Sequence, residues 1–124
     1  MPKRYLSVRN AAFRRQGERC YWCQEPMWLG DPSAYMATHH LTCRQVKRFQ
    51  CTGEHLVAQR DGGANGKSNV VAACRHCNLT RHTTRVIDPA PSAYRKLVST
   101  RMQKRKWHPA WAPAVRAVCA AKKY

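Results

Sequence analysis

Two Cys-x-x-Cys pairs, Cys20-Tyr-Trp-Cys23 and Cys74-Arg-His-Cys77, constrain this chain more than any other feature. Each pair brings two thiolates onto one tetrahedral ion, and together they complete a four-cysteine zinc site. A redox dithiol is the competing reading of a single pair, but it calls for a thioredoxin-like βαβ setting that the flanking sequence lacks. The opening residues, Met-Pro-Lys-Arg-Tyr-Leu-Ser, contain no apolar stretch of the secretory kind, so the thiols are expected in a reducing, intracellular setting where metal ligation outranks disulfides. Cys43, Cys51 and Cys119 lack partner spacing and read as buried or free thiols, with a second metal on Cys43, Cys51, His39 and His40 as the minor alternative. The knuckles of a simple zinc ribbon stand roughly 15–20 residues apart. Here the separation is much longer, so the segment between them is expected to carry function.

At 124 residues with 44% hydrophobic content, the chain suits one domain with a modest core. No apolar run approaches the roughly 18 residues needed to cross a bilayer. Twenty-three Lys and Arg against six Asp and Glu give a net charge of +17, which repels itself strongly unless a polyanion is near. Nucleic acid is favoured over an anionic membrane, because the basic residues spread over the whole chain instead of forming an amphipathic anchor. The acids are Glu18, Glu25, Asp31, Glu54, Asp61 and Asp88, too few and scattered for a catalyst built on paired carboxylates.

The sequence predicts a short helix over Ser7–Gln16, capped by Ser7 and ended by Gly17. After a Gly30-Asp31-Pro32 turn, either Tyr35–Thr38 or Val46–Phe49 could form a strand. A strand over Cys51–Val57, a glycine-rich reversal over 60–68 and a second strand over Asn69–Ala73 lead into the second knuckle. A helix then runs from Arg75 to Val86. Asp88-Pro-Ala-Pro-Ser92 breaks it, and Ser92 or Asp88 is expected to cap a further helix with Tyr94, Leu97, Val98 and Met102 at helical spacing. The opposite side of that helix carries Arg95, Lys96, Arg101, Lys104, Arg105 and Lys106, a surface suited to backbone phosphates. Trp107 and Trp111 either pack the tail onto the core or stack on bases. The organisation expected is a single domain over 1–124, with a core at 17–83 and a basic helical extension at 88–124. Removal of that extension is expected to weaken binding more than it alters metal binding.

Glu54-His55-Leu56, Gly62-Gly63, Asn69-Val70-Val71 and Cys74-Arg75-His76-Cys77-Asn78, taken in order, resemble the HNH nuclease family across about Gly17 to Thr83. The resemblance implies an α+β fold: a small ββα-metal (HNH or His-Me finger) domain stapled by the four-cysteine zinc, with flanking helices. It implies a metal-dependent DNA endonuclease that leaves a 5′-phosphate and a 3′-hydroxyl. An imidazole titrating near neutrality suits proton abstraction from water, which makes His55 the general base. Glu54, Asn78 and His82 are the candidate ligands of a catalytic divalent ion, and Asn69 holds the loop by family analogy. Neighbours 54 and 55 on a strand point to opposite faces unless the strand ends or twists there. Asn78 and His82, four apart on a helix, share a face. Which of them is the main ligand stays open: oxygen from Asn78 and Glu54 suits Mg, whereas nitrogen from His82 suits Mn, Ni or Zn.

The zinc is read as structural, since a two-stranded hairpin is too short to stand alone. Arg75, Arg81 and Arg85 are candidate phosphate clamps, with a solvated helix face as the plain alternative. The partner expected is DNA, with no membrane and no small-molecule substrate, and the chain is expected to act as a monomer in the cytoplasm of a bacterial or phage-infected cell. Two other functions remain open: a non-catalytic zinc-dependent DNA-binding or accessory protein, and an RNA-directed nuclease.

Overall fold

The apolar run before the second knuckle becomes the innermost element. The computed structural model describes residues 3–83 and 87–116, in the order α1 (Lys3–Arg15), α2 (Ser33–His39), α3 (Cys43–Val46), β1 (Cys51–His55), β2 (Val70–Cys74), α4 (Arg75–Thr83) and α5 (Pro91–Gln103). All five residues of β2 are buried, as expected for a strand covered on both faces. It pairs antiparallel with β1, from Cys51 opposite Cys74 to His55 opposite Val70. The second edge of β2 is closed by a side chain: the Gln16 carboxamide accepts from Ala72 N at 2.9 Å and donates to Ala72 O at 2.8 Å, imitating a neighbouring strand. The 14 residues between the strands reverse the chain through a 3₁₀ turn at Gln59–Asp61, closed by Gly62 at φ 90°, a conformation that favours glycine.

Three sequence expectations need correction. Tyr35–Thr38 and Val46–Phe49 are not strands: the first lies in α2 and the second spans the end of α3 and a 3₁₀ turn. Thr42 and Gln45 form a reciprocal capping box that starts α3, with Gln45 N donating to Thr42 Oγ1 and Thr42 N to Gln45 Oε1. Helix α1 begins at Lys3 instead of Ser7, which lets Tyr5 enter the core. Helix α5 is entered through Ala90 with Pro91 in its first turn, and neither Ser92 nor Asp88 caps it. The expected extension of α4 to Val86, the clamp role of Arg85, and Cys119 lie outside the described residues.

The segment after Asp88 also belongs to the core. Tyr94 and Val98 of α5 are buried, and the Tyr94 hydroxyl donates to Cys77 O at 2.6 Å. The Trp107 indole donates to Cys77 Sγ at 3.2 Å. Trp111 meets Phe49 edge-on, so both tryptophans pack inward. Cutting the chain at Asp88 would remove these partners of the second knuckle. No helix among the described residues is long and apolar enough to cross a membrane.

Helix α1 is locked onto β1 at one residue. The Tyr5 hydroxyl donates to Gly53 O at 2.6 Å, and a Cβ on Gly53 would overlap that hydroxyl and the ring carbon behind it. Gly53→Ala is expected to cost about 1–3 kcal/mol by overpacking. Urea unfolding of the zinc-loaded protein measures this, and adding Tyr5→Leu is expected to make the pair clearly non-additive.

Candidate metal centre and catalytic site

The four knuckle cysteines converge from three segments: the loop after α1, the last residue of β2 and the first turn of α4. Their sulfurs all lie within 4.8 Å of one another, and all four side chains are buried. Zinc–sulfur bonds of ~2.3 Å set tetrahedral sulfurs about 3.8 Å apart. The Cys23 and Cys74 sulfurs stand 3.9 Å apart, so the cluster fits such an ion. Backbone amides of Trp22 and Cys74 donate to Cys20 Sγ at 3.4 and 3.3 Å, and Cys77 N donates to Cys74 Sγ at 3.5 Å, contacts that favour thiolates. Burial opposes ionisation of Cys20, yet hydrogen bonds from the other three cysteines hold its thiol well below the ordinary range. Burial, then the neighbouring sulfurs, push Cys23 and Cys77 well above it. A divalent ion held by this cluster would stabilise all four thiolates together. Among the described residues this is the one such group; His39, His40, Cys43 and Cys51 do not form a second.

At the loop end of β1, Glu54 turns inward and is fully buried. Its carboxylate accepts from Trp22 Nε1 at 3.2 Å and Arg81 Nη1 at 3.1 Å, and Oε1 faces His82 Nε2 at 2.5 Å. The other nitrogen of His82, Nδ1, meets Asp88 Oδ2 at 2.7 Å. Burial is the main influence on Glu54 and leaves its pKa above the ordinary value, with His82 and Arg81 pulling against it.

His55, the last residue of β1, leaves the strand on the opposite face from Glu54. Its ring stacks on Tyr5 at 5.2 Å and 8°, and its Nε2 lies 2.8 Å from Asn65 Oδ1. Gln59 Nε2 donates to that same oxygen at 2.8 Å, which fixes it as an acceptor. His55 therefore carries its proton on Nε2 and presents Nδ1 as the basic nitrogen. Asn69 ties the reversal shut: its amide nitrogen donates to Val57 O and Ala64 O at 2.9 Å each, and its oxygen accepts from Val57 N at 2.8 Å.

Asn78 and His82 both face β1, but at different points. The Asn78 amide donates to Thr52 Oγ1 at 3.0 Å and Gly53 O at 3.1 Å, short of Glu54 along the strand. The reading of Arg81 as a phosphate clamp is corrected. It is 3% exposed and binds Glu54, the carbonyls of His55 and Leu56 at 3.0 and 2.8 Å, and Pro89 O at 3.1 Å. Helical spacing placed it beside the site but not on the surface. Arg75 is exposed at the start of α4, as are Arg95, Lys96, Arg101, Lys104, Arg105 and Lys106 along and after α5. Arg95 lies over the Tyr21 ring at 4.2 Å. Tyr5, Asn65 and Asp88 were missing from the sequence-derived site. Only Asn65 left a signal, as the polar residue in a glycine-rich reversal next to a candidate base.

With this geometry in place, comparison with known families is decisive. Residues 41–84 match the family model described as HNH endonuclease. This segment is an HNH domain. The match spans α3 through α4 and includes His55, Asn69 and the second knuckle, and it supports nuclease-type chemistry. No curated protein and no solved structure matches the chain. Within the HNH domain, the Glu54–Arg81 pair is fully desolvated, so removing one partner strands the other. Arg81→Ala is expected to cost about 3–5 kcal/mol in urea unfolding, whereas Arg81→Met with Glu54→Leu should lose much less than the sum of the single changes.

Proposed function

We propose that the chain is a metal-dependent DNA endonuclease. The observation that carries this reading is His82, held between Glu54 Oε1 and Asp88 Oδ2 at the end of β1 that also presents His55. A metal-bound imidazole typically gives its second nitrogen to a carboxylate, which fixes tautomer and orientation. Asp88 does this for His82. Nε2 of His82 and Oε1 of Glu54 would hold a divalent ion such as Mg, Mn or Ni. When bound, that ion supplies positive charge to the phosphate and the leaving oxygen.

The remaining roles belong to the chain itself. His55 Nδ1 takes the proton of the attacking water, and Asn65 steadies the opposite nitrogen as the imidazolium forms. Asn69 keeps the loop that carries Asn65 in register with His55. Asn78 fastens α4 to β1, so that the helix bearing His82 and the strand bearing Glu54 move as one body. The four-cysteine zinc is structural. Arg75 and the basic residues Arg95, Lys96, Arg101, Lys104, Arg105 and Lys106 hold backbone phosphates without reading sequence. The products are a 5′-phosphate and a 3′-hydroxyl.

Cleavage of supercoiled plasmid by zinc-loaded protein with added Mg, Mn or Ni tests this reading. His55→Ala with unchanged zinc content is expected to lose about 10²–10⁴-fold in rate. Asp88→Asn is expected to demand roughly 10–100-fold more added metal. If wild type and His55→Ala bind DNA equally and neither cleaves it with any of the three metals, the chain is a zinc-built binding module instead.

A further inference from the structure

The edge of β1 away from β2 meets Trp28 at its start, where Cys51 N donates to Trp28 O at 2.9 Å, and beyond it opens into a cleft of about 350 Å³ between α1 and α4. Arg9 of α1 and Arg75 of α4 both line it, together with Tyr5, Gln50, Asn78 and Leu79. No carboxylate is among the lining residues. The Arg9 guanidinium donates to the neutral carboxamide of Asn10, at 3.1 and 2.9 Å. Arg75 makes no ion pair with any described residue. Two guanidinium groups thus face one concavity without a counter-charge, in a chain that carries only six acids.

The floor of the cleft is built to stay in place. Gly53 O accepts both the Tyr5 hydroxyl at 2.6 Å and the Asn78 amide at 3.1 Å, so α1 and α4 are pinned to the same strand atom. Tyr5 also stacks on His55, which links the cleft to the proposed base through one ring. Strand geometry sets Gly53 about 7 Å from His55, a span comparable with that between neighbouring phosphates of one nucleic-acid strand. A strand with its reacting phosphate at His55 therefore brings the neighbouring phosphate over Gly53. Leu79, 46% exposed, gives the cleft an apolar lip for the intervening sugar.

We infer that this cleft is a second phosphate subsite, in which Arg9 and Arg75 clamp a backbone phosphodiester of the strand cleaved at His55. It rests on the endonuclease reading for its register, and it extends the site to α1, outside the matched family segment. A guanidinium recognises phosphate oxygens through its N–H groups; Arg9 holds Asn10 with Nε and Nη2 and offers Nη1, and Arg75 lines the same cleft from α4.

The test is equilibrium binding of a short DNA duplex at a series of salt concentrations, without added Mg, Mn or Ni, using zinc-loaded full-length chain. Arg9→Gln and Arg75→Gln are each expected to lower the salt slope by about 0.9 for a duplex. Arg14→Gln, which removes the same charge from the end of α1 outside the cleft, is the control and should change it less. Zinc content and thermal melting confirm that each variant is folded. Equal slopes for Arg9→Gln, Arg75→Gln and Arg14→Gln would overturn the subsite, leaving general charge as the cause. Inorganic phosphate that shifts the Gly53 and Asn78 amide resonances, while those slopes stay equal, would instead assign the cleft to a free anion. Plasmid cleavage by the same proteins separates the two readings: cleft-dependent binding without cleavage sinks the endonuclease, and cleavage with equal slopes sinks the subsite.

Discussion

Four sulfurs within 4.8 Å of one another join the loop after α1 to the end of β2 and the first turn of α4. A two-stranded hairpin is marginal in water by itself, and the helix that follows it here has only nine residues. Short isolated helices are marginal too, because nucleation is costly. Fixing the end of β2 and the first turn of α4 to the loop after α1 removes that cost at one point. The later chain then closes over the same point, with the Tyr94 hydroxyl on Cys77 O and the Trp107 indole on Cys77 Sγ. The cluster is thus the hub through which α1, the hairpin, α4 and α5 meet.

The second organising constraint is a carboxylate buried in a strongly basic protein. Glu54 has no exposed surface and is held by Trp22, Arg81 and His82. Arg81 answers its charge and also binds the carbonyls of His55 and Leu56, where the chain leaves β1. That single guanidinium shapes the strand end on which His55 sits. His82 joins the same group from the next position on α4, and Asp88 reaches it from the segment before α5.

Much of this was legible in the sequence, for identifiable reasons. Paired cysteines, the Glu54-His55 step, the double glycine and the Asn69 apolar run are local signals whose chemistry depends on spacing, and each is found near its expected place. The strand over Cys51–Val57 stops two residues early because Asn69 takes over the backbone of Val57. The segment over 24–50 was misread because short aromatic and β-branched runs suit strand or helix equally. Its deciding signal was the Thr42–Gln45 capping box. Arg81 was misplaced because helical periodicity gives neighbours but not which face is covered when an arginine enters the core to meet a buried acid. Tyr5 and Asp88 act across long sequence separations, through contacts that no local pattern encodes. Gly53, silent as a sequence feature, is required where α1 crosses β1.

The claim on which all else depends is that one metal ion assembles this fold. Titrating zinc into the metal-free, reduced chain while following far-UV circular dichroism and near-UV aromatic signals tests it most directly. One equivalent is expected to bring the helical spectrum and the buried-tryptophan environment together in a single transition, because Trp22 and Trp107 both lie against the cysteine cluster. A metal-free chain that already shows both signals, or a transition that needs a second equivalent, would contradict it.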